Sequence, residues 1–154
     1  MSYNITDIVE KAIKIEEKRI FLINELINEN KNLPTINLLG KVFEKESRKM
    51  IDYYKTIELE LNNSKLEEID FRTYDKISFL INEFFSIMFI PVVEKPKEYM
   101  NYALQLSSNQ LALFLDIQGR LVNNSNRADG ITYNVLSDII VKLEQRVDSI
   151  KRVL

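Results

Sequence analysis

Residues 7–29 read DIVEKAIKIEEKRIFLINELINE, and the spacing of their apolar side chains decides the fold class. Two adjacent rows of side chains recur in steps of three and four, which is the period of one face of an α-helix. The pattern predicts a long amphipathic helix that is capped by Asp7. The first row is Val9, Ile13, Glu16, Ile20, Ile23 and Ile27, and the second is Ile8, Ala12, Ile15, Arg19, Leu22 and Leu26.

The same helical period continues along most of the chain and is interrupted at polar or proline-containing segments. An aromatic-rich stretch between the second and third long helices predicts one short additional helix. The predicted elements after the first are a helix from Thr35, its cap, to Asn62, the short helix within 63–95, a helix from Pro96 to Val122, a loop at 123–130, and a helix capped by Thr132.

This order of elements predicts an all-α fold in a single domain, 1–154. The four long helices form two pairs with short loops, so the helices of each pair are expected to be antiparallel neighbours. The connection of about thirty residues between the pairs allows the second and third long helices to lie parallel. The prediction is a four-helix bundle of ferritin-like topology: two antiparallel hairpins joined by a long crossover that contains a short extra helix.

Composition excludes several function classes. The 154 residues include no cysteine and no histidine, which rules out disulfides, thiolate nucleophiles, Ser-His-Asp catalysis and histidine-containing metal sites. The net charge is −2 with scattered basic residues, so no nucleic-acid partner is expected. The most apolar stretch, Phe84 to Val93, is about half of the roughly 20 residues that a membrane span needs. We therefore expect no membrane span, and a cytoplasmic location because no export signal is visible.

Four segments resemble the helices of rubrerythrin-type ferritin-like proteins, in the same order and spacing. AIKIEEKRIFLINEL (12–26) resembles their first helix, and FEKESRKMIDYY (43–54) resembles the second, where a Glu-x-x-His pair is expected. YALQLSSNQLALF (102–114) and IIVKLEQRVDSI (139–150) repeat these two patterns. The resemblance implies two iron ions held between the helices by one Glu from each of two helices and a Glu-x-x-His from each of the others.

Carried over position by position, the resemblance implies that this metal site is lost. We therefore expect no iron, no other cofactor and no catalytic residue, and we interpret the chain as a non-catalytic interaction or structural module. Two ligand positions keep their residue, as Glu16 and Glu144, whereas the other four carry Ser47, Met50, Ser107 and Val147.

A residual carboxylate site is one alternative. If Glu46 pointed inward in place of Ser47, then Glu16, Glu46 and Glu144 could hold one hard metal ion loosely. The chain would then be a divergent, iron-binding oxidoreductase of the same family. The other interpretation of this part of the second helix is a solvated charged face.

Without a metal, Glu16 needs other partners, because a buried carboxylate is costly unless it is paired or hydrogen-bonded. The candidate partners are Ser47, Ser107, Gln110 and tyrosines across the bundle. A further alternative is a small-ligand binder that uses a central cavity lined by Met50, Ser107 and Tyr54.

An aromatic stripe in the crossover predicts self-association. Such residues usually belong to a core, but four helices already supply one, and large exposed apolar patches are uncommon on monomers. We therefore expect a homodimer, and we leave open an unidentified protein partner. The stripe is Phe79, Phe84, Phe85, Met88 and Phe89.

Overall fold

The structure, a computed structural model, describes residues 2–123 and 130–154. Its regular structure over these residues is five α-helices, so the predicted all-α class is confirmed. The predicted loop at 123–130 lies, apart from its two end residues, outside the described part of the chain. The helices are α1 (Ile5–Glu29), α2 (Pro34–Leu61), α3 (Phe71–Ile87), α4 (Pro96–Asn123) and α5 (Ile131–Val153).

The predicted cap of α1 is wrong by one helical turn. Asn4 is the N-cap, and its side chain accepts a hydrogen bond of 2.9 Å from the backbone N–H of Thr6. Asp7 occupies the third helical position and accepts from the Asn4 backbone N–H at 2.9 Å, which completes a capping box. Polar residues crowd this stretch, so the pattern alone did not single out Asn4.

The threonine caps predicted for α2 and α5 are also wrong. Pro34 begins α2, because its fixed φ suits the first position and its missing N–H is not needed there, so Thr35 lies inside the helix. Gly130 precedes α5, and the backbone N–H of Thr132 donates to the carboxylate of Glu67 at 2.9 Å. A side chain from the crossover therefore supplies the acceptor that a local cap would have provided.

The crossover contains a longer helix than predicted. α3 has 17 residues and is capped by Asp70, whose side chain accepts from the backbone N–H of Thr73 at 2.7 Å. Ahead of it, Ile69 donates its backbone N–H to the carbonyl of Tyr3 at 2.7 Å. At its far end, Lys18 Nζ donates to the carbonyl of Phe85 at 2.6 Å. The crossover is thus attached at both ends to α1 or to the residues before it.

α1 packs chiefly on α2, and α4 packs chiefly on α5, while α4 also contacts α2 and α3. The start of α2 lies against the end of α1 so closely that a Cβ on Gly40 would come within 2.8 Å of Ile27 Cγ1. The end of α4 lies at the start of α5, where Gln118 donates to Ser137 Oγ at 2.8 Å. The largest fully buried side chains are Tyr54, Phe114, Ile5, Ile8, Ile15, Leu26, Ile36, Ile77, Ile81, Ile117, Leu121 and Leu136.

The predicted aromatic stripe divides between the core and the surface. Phe84 and Met88 are buried in the core and Phe85 is half-buried, whereas Phe79 and Phe89 are 60% and 59% exposed. Among the helices that the structure describes, none combines the length and the hydropathy needed to cross a bilayer.

A buried ion-pair network as the candidate functional site

Five polar residues meet in the middle of the helical core, where an apolar interior would otherwise be continuous. We call this group the central network. Glu16 and Arg19 come from α1, Ser107 and Gln110 from α4, and Arg146 from α5, and each is at most 4% exposed. The pairs within α1 and α4 are three residues apart, which places both members on one helical face.

Arg146 and Glu16 form a bidentate ion pair. Nη2 of Arg146 lies 2.7 Å from Oε1 of Glu16, and Nη1 lies 3.0 Å from Oε2. Such a paired geometry between guanidinium and carboxylate is the strong form of a charge-assisted hydrogen bond. The side-chain N–H of Gln110 donates to Oε2 at 2.7 Å, so both oxygens of the buried carboxylate are satisfied.

Arg19 joins the network mainly through α4. Its Nη1 donates to Oε1 of Gln110 at 2.9 Å, and its Nη2 donates to Ser107 Oγ at 3.1 Å. Its Nε lies 3.9 Å from Glu16 Oε1, an ion-pair distance without a hydrogen bond. Gln110 therefore accepts from Arg19 and donates to Glu16, linking the two charged groups through one amide.

Glu46 extends the network to the surface. Its Oε1 lies 2.9 Å from Nε of Arg146, an ion pair whose alignment does not make it a hydrogen bond. The side chain of Glu46 is 32% exposed, whereas that of Arg146 is 2% exposed. Two carboxylates, from Glu16 and Glu46, thus face two guanidinium groups, from Arg19 and Arg146, and the formal charges cancel.

The environment shifts the pKa of each of the three buried charged residues, Glu16, Arg19 and Arg146. Burial alone would raise the pKa of Glu16, but the positive charges of Arg146 and Arg19 and the hydrogen bonds from Arg146 and Gln110 hold it below 4.5. Burial and the nearby charge of Arg146 lower the pKa of Arg19 to about 10. For Arg146, the cost of burial is exceeded by the attraction of Glu16, which raises its pKa. All three groups are therefore charged at neutral pH.

The residues predicted to remain from a metal site do not all converge. Glu16 and Glu46 both contact Arg146, whereas Glu144 is exposed on α5. Among the described residues, no group of three acidic side chains is placed to hold a metal ion. The guanidinium of Arg146 contacts the carboxylates of both Glu16 and Glu46, so a positively charged group already pairs with the two acidic residues that a metal ion would need.

The replaced ligand positions are buried. Ser107 accepts from Arg19, while Met50 and Val147 are apolar residues of the core. The hydroxyl groups of Ser47 and Tyr54 on α2 are buried and form no hydrogen bond with the part of the chain that the structure describes. Burial, together with the charge of Glu16, raises the pKa of Tyr54, so this hydroxyl stays protonated.

The spacing of residues along the helices does not predict that Arg19 and Arg146 belong to the site. Arg19 falls in the second apolar row of α1, a position that indicates burial. Arg146 follows Leu143 by three residues and Ile139 by seven, so it falls in the buried seam of α5. Long basic side chains at such positions commonly extend to the surface, and their spacing alone does not distinguish the two outcomes.

A small cavity of about 20 Å³ lies beside Arg19 and has room for about one water molecule. Its walls include Leu22, Tyr99, Tyr102 and Leu106. The residues predicted for a central ligand cavity do not line it.

Comparisons with protein-family models, curated proteins and solved structures find no significant match to this chain.

Proposed function

We propose that the chain is a ferritin-like helical bundle, related to the rubrerythrin type, that has lost its di-iron centre and serves as a non-catalytic interaction or structural module. One observation carries the proposal: the guanidinium of Arg146 holds Glu16 by two contacts of 2.7 and 3.0 Å in the buried centre. A positively charged side chain thus pairs with the carboxylate that an iron ion would bind.

The implied residues do not fit a pair of iron ions. Such a centre needs several anionic oxygens together with imidazole nitrogens. At the corresponding positions this chain has Ser47, Met50, Ser107 and Val147, and Glu144 is exposed. A divalent cation near Glu16 would also lie against two guanidinium groups, which repel it. We therefore assign the central network a structural role.

Contacts between helix ends support the ferritin-like topology. Phe43, in the first half of α2, packs edge-on against Tyr99 at the start of α4, with ring centroids 5.4 Å apart. A groove at the same end is lined by Thr35 of α2 and Lys97 of α4. Both contacts favour a parallel arrangement of α2 and α4, which a long crossover permits.

Iron loading tests the loss of the metal centre. Because the charges of the central network already cancel, we expect far less than one bound iron per chain. The protein is incubated anaerobically with ferrous iron and desalted, and its iron content is measured by inductively coupled plasma mass spectrometry. Two tightly bound irons per chain would contradict the proposal and favour the oxidoreductase alternative.

A variant that restores the implied ligands provides a positive control for the same measurement. It combines Ser47→Glu, Met50→His, Ser107→Glu and Val147→His with Arg146→Ala, which removes the competing guanidinium. We expect this variant to take up more iron than the natural chain, because, with Glu16, it places five of the six implied ligands at buried positions.

Spin labels test the topology directly, since the chain has no cysteine and two can be introduced without background labelling. Leu38 and Leu59 are exposed near opposite ends of α2, and Lys97 is exposed at the start of α4. We expect the 38–97 distance from double electron–electron resonance to be clearly shorter than the 59–97 distance, by at most about 30 Å, which is the rise of the helix between residues 38 and 59. The reverse order would rule out parallel α2 and α4.

The proposed module acts as a homodimer, the state expected from the aromatic stripe. Support comes from Phe79 and Phe89, two large apolar side chains of the crossover that are exposed to solvent in the monomer. A dimer interface would remove them from water.

A further inference from the structure

A groove between α2 and α5 has an unusual concentration of positive charge. Its volume is about 680 Å³, within the range of small-molecule sites. Lys45 and Lys49 line it from α2, and Lys142 and Arg146 line it from α5. Among the described residues that line it, Glu46 is the one that carries a carboxylate. The groove thus presents a local excess of three positive charges on a chain whose net charge is −2.

The ammonium groups of this groove are free to bind a ligand. Within residues 2–123 and 130–154, none of Lys45, Lys49 and Lys142 pairs with a carboxylate. Lys142 Nζ instead lies 5.2 Å from the centre of the Tyr53 ring, over its face. Lys45 and Lys49 are one helical turn apart, about 6 Å along the axis, so both can reach one extended anion.

Arg146 forms the floor of the groove and connects it to the central network. Its Nη atoms hold Glu16 in the core, while its Nε faces Glu46 at 2.9 Å. The Nε group makes no aligned hydrogen bond with any residue in 2–123 or 130–154, although the side chain is only 2% exposed. A buried, incompletely satisfied donor at the bottom of a basic groove is a feature of anion sites.

We propose that this groove binds a small multivalent anion, a molecule carrying two or more phosphate or carboxylate groups. Lys45, Lys49 and Lys142 neutralise its charge, and Arg146 donates Nε–H to one of its oxygens. Glu46 competes for the same donor, and its 32% exposure lets the carboxylate move into solvent when the anion enters. This inference does not depend on the ferritin-like topology or on the loss of iron.

Isothermal titration calorimetry on the full chain at low ionic strength tests the site, with inorganic pyrophosphate and citrate as separate probes. The two probes distinguish phosphate from carboxylate ligands. We expect saturable binding of at least one probe with one site per chain. Lys49→Gln and Lys142→Gln are each expected to weaken it about tenfold, because each removes a charge-assisted contact. Lys55→Gln, on the same helix but outside this groove, is the charge-matched control and should leave the affinity within about twofold.

Glu46→Gln tests the competition. Removing this negative charge is expected to tighten binding several-fold, whereas Glu44→Gln, which removes a carboxylate paired with Arg48, should have a smaller effect. If Lys49→Gln and Lys55→Gln lowered the affinity equally, the attraction would be non-specific and the proposal would be overturned. The absence of saturable binding of either probe would also overturn it, and binding of a poly-glutamate peptide alone would assign the groove to an acidic protein segment instead.

Discussion

Replacing Glu16 with alanine is expected to lower the free energy of unfolding by about 3–5 kcal/mol. Arg19 and Arg146 would then lie buried beside each other with only the partly exposed carboxylate of Glu46 to offset their two positive charges. Removing one partner of a buried ion pair is costly because the remaining charge can be neither solvated nor compensated. Urea denaturation followed by circular dichroism measures the change.

Glu144→Ala is the matched control, since it removes a glutamate from an exposed position of α5. It should change the free energy of unfolding by less than about 0.5 kcal/mol. If the two variants were equally stable, or if Glu16→Ala were more stable than the natural chain, the central network would not contribute as described.

Acid titration adds an independent readout of the same residue. The pKa of Glu16 in the folded chain is below 4.5, so the unfolded chain binds the proton more tightly than the folded chain. The stabilisation is therefore complete above the ordinary pKa of a glutamate and is lost as the pH falls through the lower, folded-state value. Glu16→Gln should lack this contribution, and its stability should fall less steeply below pH 4.5.

Arg146→Met is expected to cost about 3 kcal/mol, because it leaves Glu16 with only the more distant charge of Arg19 and the amide of Gln110. The double variant Glu16→Leu/Arg146→Met should lose clearly less than the sum of the single variants Glu16→Leu and Arg146→Met. We expect a coupling energy of at least about 2 kcal/mol from this double-mutant cycle.

A cycle on an exposed ion pair provides the comparison for this coupling. Asp116 and Arg120 pair on the surface of α4 at 3.1 Å, and both are at least 38% exposed. Their coupling should be well below that of Glu16 and Arg146, because solvent screens exposed ion pairs. If the changes in the free energy of unfolding for the Glu16 and Arg146 variants were additive, they would contradict the bidentate contact between these residues.

The helical class was predictable from the sequence because the apolar spacing is regular over long stretches. The row beginning at Ile8 predicted the burial of Ile15, Leu22 and Leu26 in α1, which the structure confirms. The exact helix starts were not predictable in the same way. Asn4 and Asp7 are both acceptable caps by residue type, and the choice depends on which backbone N–H groups each side chain reaches.

The central network was predictable only in part, because its partners come from three helices. Glu16 stood out as a carboxylate in an apolar row, and Gln110 was one of its candidate partners. The contact with Arg146 joins residues 130 positions apart, and it depends on the rotation of α5 against α1. Local spacing does not determine that rotation, so the sequence favoured neither a residual metal site at Glu144 nor the observed ion pair.

The hydrogen bond from Thr132 to Glu67 makes the first turn of α5 conditional on a distant part of the chain. These residues are 65 positions apart, and Gly130 leaves just enough space for the carboxylate, since a Cβ there would collide with it. An isolated peptide covering the last helix would lack this acceptor and would fray at its start. During folding, the first turn of α5 should therefore be among the last segments to become protected from hydrogen exchange, because it forms only after the segment that carries Glu67 has docked.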